Sequence, residues 1–321
     1  TLNTPYGTWA GAVNRAEIDG ITTITFETGH YISDNTVAFA FGADNAILPA
    51  IENLKVYGNG SVIEQAVGGT QVSFIIIDGV NNIEINDFNF INFDKPLGSI
   101  AYIEDASGIV FNNITVDGSD RSGDAFHITA SAEDTEVTFY CSQFYNHFSH
   151  NPPNSVMTIV GDGSTNEGSH TVTANFVDTE WRCNDRNGFG GALTITGGGN
   201  STPGPNVNFW GGVFSDNVAN ATDAGAIYAS GDTNLFIDGT EFICNSNTSN
   251  DGSGGGALFV GDDSNLTILN ANFSNNVSRL DGGAITFNGS GELRVEGTEF
   301  HNNIATGGAG GGIFYLSLIH I

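Results

Sequence analysis

Leu266-Thr267-Ile268-Leu269-Asn270-Ala271-Asn272-Phe273-Ser274-Asn275-Asn276 carries the pattern that decides the fold. Its first and third residues are apolar, a turn-forming residue stands fifth, an aromatic eighth, and an asparagine follows three residues after the aromatic. Alternating apolarity over the opening residues is the period of a strand with one buried face. The phrase recurs ten times, beginning at Ile24, Leu54, Ile83, Ile109, Val137, Ala174, Val207, Leu235, Leu266 and Leu293. Its third positions are Phe26, Val56, Ile85, Phe111, Phe139, Phe176, Phe209, Ile237, Ile268 and Val295. Its eighth positions are Tyr31, Ser61, Phe90, Val116, Phe144, Trp181, Phe214, Phe242, Phe273 and Phe300. A repeat of about thirty residues is too long for a ladder of hairpins and suits one coil of a solenoid. The expected fold is all-β, a right-handed parallel β-helix of about ten coils over residues 21–315.

The asparagines after the aromatic are Asn184, Asn217, Asn245, Asn276 and Asn303. Stacked coils place them about 4.8 Å apart, close enough for each amide to donate to the next. A variable loop follows and closes on a Gly-rich strand start, seen in Gly190-Gly191-Ala192-Leu193, Ala224-Gly225-Ala226-Ile227, Gly255-Gly256-Ala257-Leu258 and Gly282-Gly283-Ala284-Ile285. Glycine there supplies either a positive φ or a close backbone approach. Inward rings are expected to stack from coil to coil, each buried one contributing roughly 1.5–3 kcal/mol. Ahead of the first coil, Trp9, Ala10, Val13 and Ala16 fall at helical spacing, which predicts a short amphipathic cap within residues 1–20. The last residues, 316–321, read as a non-native sequencing-adapter tail and take no part in the fold.

Composition narrows the partners. The 321 residues include 36 acidic and 8 basic side chains, a net charge of −28, which repels nucleic acid and anionic lipid alike. Hydrophobic residues at 39%, with 23 Phe, suffice for a core and argue against disorder. No apolar run is long enough to span a membrane as a helix. The acidic surface suits an extracellular or outer-membrane location. It could hold Ca²⁺ through oxygen ligands, although no spaced calcium motif occurs and no other cofactor is implied. A monomer is expected. Cys183 and Cys244 share one repeat position two coils apart, about 9.6 Å, which is beyond disulfide reach, and Cys141 is expected free as well.

The pairing of Phe-x-x-Asn with Gly-Gly-Ala-Ile/Leu resembles the repeat of the chlamydial polymorphic outer membrane proteins. Phe214-Ser-Asp-Asn217 with Ala224-Gly-Ala-Ile227, and Phe273-Ser-Asn-Asn276 with Gly282-Gly-Ala-Ile285, are the nearest copies. The resemblance covers roughly Trp181 to Phe314 and implies a surface adhesin with a β-helical passenger. The front half is similar to generic pectin-lyase-like β-helices through Asn53-Leu-Lys-Val-Tyr-Gly-Asn-Gly-Ser-Val-Ile63.

Two constellations carry candidate chemistry. Lys95, Arg121, Arg182, Arg186 and Arg279 fall in loops expected at one corner, where guanidinium groups could read an acidic glycan; pairing with local Asp is the plainer account of them. Asp117, Asp120, Asp124 and His127, with His147 and His150 in the next loop, place carboxylates beside imidazoles and could serve acid–base work on a sugar. Outward positions of the Gly-rich strands are His127, Thr158, Thr194, Tyr228, Phe259 and Thr286, so a Tyr228–Phe259 step could stack on sugar rings. No complete catalytic set or metal site is legible. The primary expectation is therefore a binding or structural module that takes a glycan or cell-surface protein. A polysaccharide lyase or glycoside hydrolase built on Asp124, His127 and His147 is the rival.

Overall fold

A lone coil offers one row of apolar side chains and leaves its strand N–H and C=O groups unpaired, so it is stable only between other coils. The computed structural model meets that requirement as a parallel β-solenoid, described for residues 12, 16, 18–33, 39–42, 51–65, 73–92, 99–118, 124–149, 155–161, 170–197, 203–220, 223–250 and 254–316. Three sheets run along it. One of eighteen strands holds the repeated phrase, one of ten holds the segments after the Gly-rich corner, and one of six short strands lies between them in chain order.

Neighbouring strands are one coil apart and parallel. The third-position column runs through Val56, Ile85, Phe111, Phe139, Phe176, Phe209, Ile237, Ile268 and Val295 without a slip. The first two coils depart from the expected register. Ile24, expected as a first position, pairs with Val56, and Tyr31 pairs with Ile63 instead of Ser61. The strand Lys55–Gln65 takes four residue steps from Tyr57 to Ser61 where its partner takes two, from Asn86 to Phe88. Asn59 and Gly60 absorb the excess with φ of 52° and 73°. Gly58 must be glycine, since a Cβ would stand 2.5 Å from the Asp87 carbonyl oxygen and 2.7 Å from the Phe88 ring.

The core contains two columns of rings. Phe111, Phe139, Phe176 and Phe209 stack with centroids 5.1, 5.2 and 4.8 Å apart. Phe144, Trp181, Phe214, Phe242, Phe273 and Phe300 stack at 4.2, 5.6, 5.1, 4.6 and 5.1 Å. The columns meet edge to face, as in Phe209–Phe214 at 5.3 Å and 74°, which suits the positive ring edge against the negative ring face.

Asparagine forms the expected ladder. Asn184, Asn217, Asn245 and Asn276 each donate from Nδ2 to the Oδ1 of the next, ending on Asn303, at 2.8, 2.9, 3.0 and 2.9 Å. A second, exposed ladder runs Asn265 to Asn234 to Asn206 at 2.9 and 3.0 Å. Two rows of positive-φ turns punctuate each coil: Asn113, Cys141, Asp178, Gly211, Gly239, Asn270 and Gly297 at the fifth position of the phrase, and Asn146, Cys183, Asp216, Cys244, Asn275 and Asn302 beside the ladder. All three cysteines are exposed and free.

The Gly-rich corners are close approaches. A Cβ on Gly191, Gly225, Gly256 or Gly283 would lie 2.1, 2.0, 1.9 or 2.1 Å from a carbonyl oxygen of the next coil. Gly225→Ala should therefore force two coils apart and cost about 2–3 kcal/mol. Gly79→Ala, with φ of +62° and nothing within 4 Å of the new Cβ, should cost only the left-handed conformation, about 1 kcal/mol. Urea midpoints of the two variants compare these directly, and equal losses would remove the close-packing account.

Of the expected N-terminal cap only Ala12, Ala16, Ile18, Asp19 and Gly20 are described; Ala12, Ala16, Ile18 and Asp19 are helical, and Ala16 is buried. Residues 317–321 lie outside the described residues.

Candidate functional site

The expected site residues separate onto an interior seam and two outer faces, while Lys95, Arg121, Asp120 and His150 lie outside the described residues. The seam forms because the second residue of each short strand points inward, toward a Gly-rich corner. That row is Arg186, Ala219, Asn247 and Ser278, all fully buried. Asn247 donates to the Asp223 carbonyl at 3.1 Å and Ser278 to that of Gly254 at 2.9 Å. Arg186 plays the same part on a larger scale, donating to the Ser155 carbonyl at 3.2 Å with Asp124 Oδ1 4.0 Å from its Nη2. Burial lowers its pKa to about 10 against the opposing pull of Asp124, so it remains a cation, but one withdrawn from solvent. The corner position that suggested a ligand-reading guanidinium is an internal tie.

His147 is the ladder residue of its coil. It lies three residues after Phe144, its backbone N–H donates to Asn184 Oδ1 at 3.2 Å, and its ring is hydrogen-bonded to the Val116 backbone. Asn184 binds Phe144 in the same way, 3.2 Å from its carbonyl. Burial, then the Arg186 charge, push its pKa from 6.5 down to about 3, and Nε2 has no partner among the described residues. The folded-state pKa lies below the unfolded one, so this contribution to stability is complete above about pH 6.5 and is lost as pH falls toward about 3. The expected slope is up to about 1.4 kcal/mol per pH unit in that window. Urea midpoints of His147→Asn, which keeps the ladder and cannot protonate, should fall less steeply between pH 6.5 and 4, and equal slopes would exclude a neutral buried His147.

On the outward face of the ten-stranded sheet, His127 stacks on Tyr102 at 5.4 Å and 6°, while Tyr102 donates to Glu104 Oε2 at 2.8 Å. Desolvation lowers the His127 pKa and Glu104 partly restores it. Asp124 is tied to this face by Thr158 at 3.1 Å. Asp124, Arg186 and His147 thus gather inside, and His127 stands outside with Tyr102. Tyr228 and Phe259 stack on each other, 5.2 Å apart and 3° from parallel, and Phe189, 47% exposed, packs on Tyr228 at 5.0 Å. Phe259, expected to be exposed, is buried at 7%. Thr194 and Thr286 are covered as well, because the Gly-rich corners fold back and bond them: Gly190 N–H donates to Thr194 Oγ1 at 3.3 Å, and Thr286 donates to the Gly254 carbonyl at 2.8 Å.

The outward face of the eighteen-stranded sheet holds Arg182, which donates to Glu180 at 2.9 Å and to Ser215 at 3.3 Å. Arg279 instead binds the Thr248 carbonyl and Asn250. The same sheet carries exposed Tyr140 and Trp210, with Phe236 6.1 Å from Trp210. Sequence reasoning missed these aromatics; the signal that could have found them is period-two alternation, which turns the second and fourth phrase positions outward. Among the described residues, no three His, Cys, Asp or Glu side chains group in a way that could hold a metal ion, and no helix is long and apolar enough to cross a membrane.

Part of the chain is 32% identical over 115 residues to the probable autotransporter YfaL of Escherichia coli (strain K12). That match takes in 33% of this chain and 9% of the relative, so the chain spans less than a tenth of that curated protein's length. No protein-family profile matches the chain, and no solved structure matches it.

Proposed function

We propose that this chain is part of a surface-exposed β-helical passenger of a secreted bacterial protein, located outside the cell or on the outer membrane, and that it works as an adhesin-like binding surface for a glycan or cell-surface protein. The observation that carries the reading is similarity to an autotransporter in a chain whose described residues form a long parallel solenoid. The resemblance of the Phe-x-x-Asn and Gly-Gly-Ala repeats to chlamydial surface proteins supports it. So does the net charge of −28, which keeps an extended surface soluble. A polysaccharide-active enzyme draws less support, because His147 is buried in the ladder while His127 faces outward.

Display of the chain on the surface of a non-adherent bacterium tests the reading. Retention on cell monolayers or a glycan array above an empty-display control is the expected result. Release of sugar products from polysaccharides, without retention, would replace the adhesin with the enzyme.

A further inference from the structure

We propose that the face formed by Tyr140, Val177, Trp210 and Phe236 is a binding site for an uncharged, extended β-1,4-linked glycan lying along the solenoid axis; this rests on the adhesin-like reading and gives it a location and a ligand class. Tyr140, Val177 and Trp210 occupy one column of the eighteen-stranded sheet on consecutive coils. Phe236 sits on the next coil, one column over, paired with Asn208. Tyr140 and Trp210 are 41% and 39% exposed, which is unusual for large rings in a chain that buries so many others.

The spacing of these rings selects an extended ligand. Coils repeat about every 4.8 Å, so the strand positions that carry Tyr140 and Trp210, two coils apart in one column, lie about 9.6 Å apart along the axis. A β-1,4-linked pyranose chain advances by about one coil spacing per sugar and shows the same kind of apolar ring face at every second unit, so two units span the two rings. The strands beneath keep an unbroken parallel register across these coils, and the turn beside Trp210 is built from Gly211 and Gly212, with φ of 68° and 78°, so no side chain rises from that turn to bar a ligand.

A row of hydrogen-bonded polar side chains runs beside the rings. Asn208 donates to Asn175 at 3.0 Å, and Asn175 to Thr138 at 3.3 Å. The next residue in that column is Phe236, which has no donor. The Asn208 side-chain Oδ1 therefore ends the row with no side-chain donor from the next coil, beside the Trp210–Phe236 pair. An apolar platform edged by a fixed acceptor is the chemistry that orients a sugar ring.

Charge excludes acidic ligands. Asp178, Glu180, Asp238 and Glu241 belong to the same face, and Arg182 is committed to Glu180 at 2.9 Å. A uronate or sulfated chain would meet repulsion there and in the −28 field of the whole chain. A neutral ligand on this face differs from the acidic glycan that the corner arginines could read.

The test is calorimetric titration of the full chain with cellohexaose, chitohexaose and xylohexaose, and with oligogalacturonate as the acidic counterpart. Binding of at least one neutral hexasaccharide is expected, weakened at least tenfold by Trp210→Ala and several-fold by Tyr140→Ala, with unchanged melting temperatures because both rings are exposed. Phe189→Ala, on the other aromatic face, should bind as the parent does. Loss in Phe189→Ala with none in Trp210→Ala would overturn the proposal and leave the adhesin-like reading standing, as would preference for oligogalacturonate or retention on cells that Trp210→Ala does not change. Absence of both glycan binding and cell retention would remove the two together.

Discussion

Asn245→Ala is expected to lower the unfolding free energy by about 4 kcal/mol, because it leaves about three buried polar groups unpaired at roughly 1–3 kcal/mol each. Asn245 is fully buried in the middle of the ladder. Its Oδ1 accepts from both the backbone N–H and the side-chain amide of Asn217, at 3.2 and 2.9 Å. Its own amide donates to Asn276 Oδ1 at 3.0 Å and to the Phe214 carbonyl at 2.9 Å. Alanine removes all four bonds. The two Asn217 donors and the Phe214 carbonyl then have no water to turn to, whereas Asn276 Oδ1 still accepts from the residue 245 backbone N–H, at 2.9 Å in the parent. Asn245→Asp should fare little better at neutral pH, since it deletes the donor and introduces a charge into a buried row. Asn303→Ala, at the less buried end of the ladder, should cost clearly less. Urea unfolding followed by circular dichroism reads all three, and equal losses at 245 and 303 would mean the ladder is not cooperative along its length.

The ladder explains why so much of the fold could be read from residues alone. A solenoid repeats one environment, so the ring, the amide and the close-packed glycine recur in the chain as they recur in space. For the same reason the Phe-x-x-Asn and Gly-Gly-Ala motifs report coil geometry, and any protein that stacks coils this way needs them. What could not be read is what breaks the repeat. The excess residues around Gly58–Gly60 moved the eighth position of the second coil from Ser61 to Ile63, because a bend that adds two residues keeps the inward parity intact and leaves the apolar pattern looking regular. His147 and Arg186 were misplaced for a related reason. Both are polar residues standing in for Asn, Ala or Ser at inward repeat positions, and polarity alone reads as surface. The exposed aromatics at Tyr140, Trp210 and Phe236 were hidden by the opposite habit, since an aromatic in a β-rich chain is first counted as core.

Trp181 and Trp210 turn that distinction into a measurement. Trp181 is fully buried, stacked on Phe144 at 4.2 Å and on Phe214 at 5.6 Å, and set edge-on to Phe176 at 5.7 Å. Its Nε1–H donates to Thr179 Oγ1 at 3.3 Å, so the indole is satisfied inside the core. Trp181→Ala should cost about 3–5 kcal/mol, the transfer term plus a cavity that rigid coils above and below cannot close. Trp181→Phe should cost well under half of that, because phenylalanine is the residue most later coils place in this column, losing only the outer part of the ring and one hydrogen bond. Trp210→Ala removes an outward-facing, 39% exposed ring and should change the melting temperature much less. In a solenoid, stability is close to a sum of coil terms and nearest-neighbour interfaces, so the damage from Trp181→Ala should concentrate at the interfaces with the Phe144 and Phe214 coils. Hydrogen exchange should then show protection lost first in those strands, with the distant strands Ile285–Gly289 and Ile313–Leu316 keeping theirs. Uniform loss along the chain would show instead that the solenoid unfolds as one cooperative unit, and that the ring columns act as a single core.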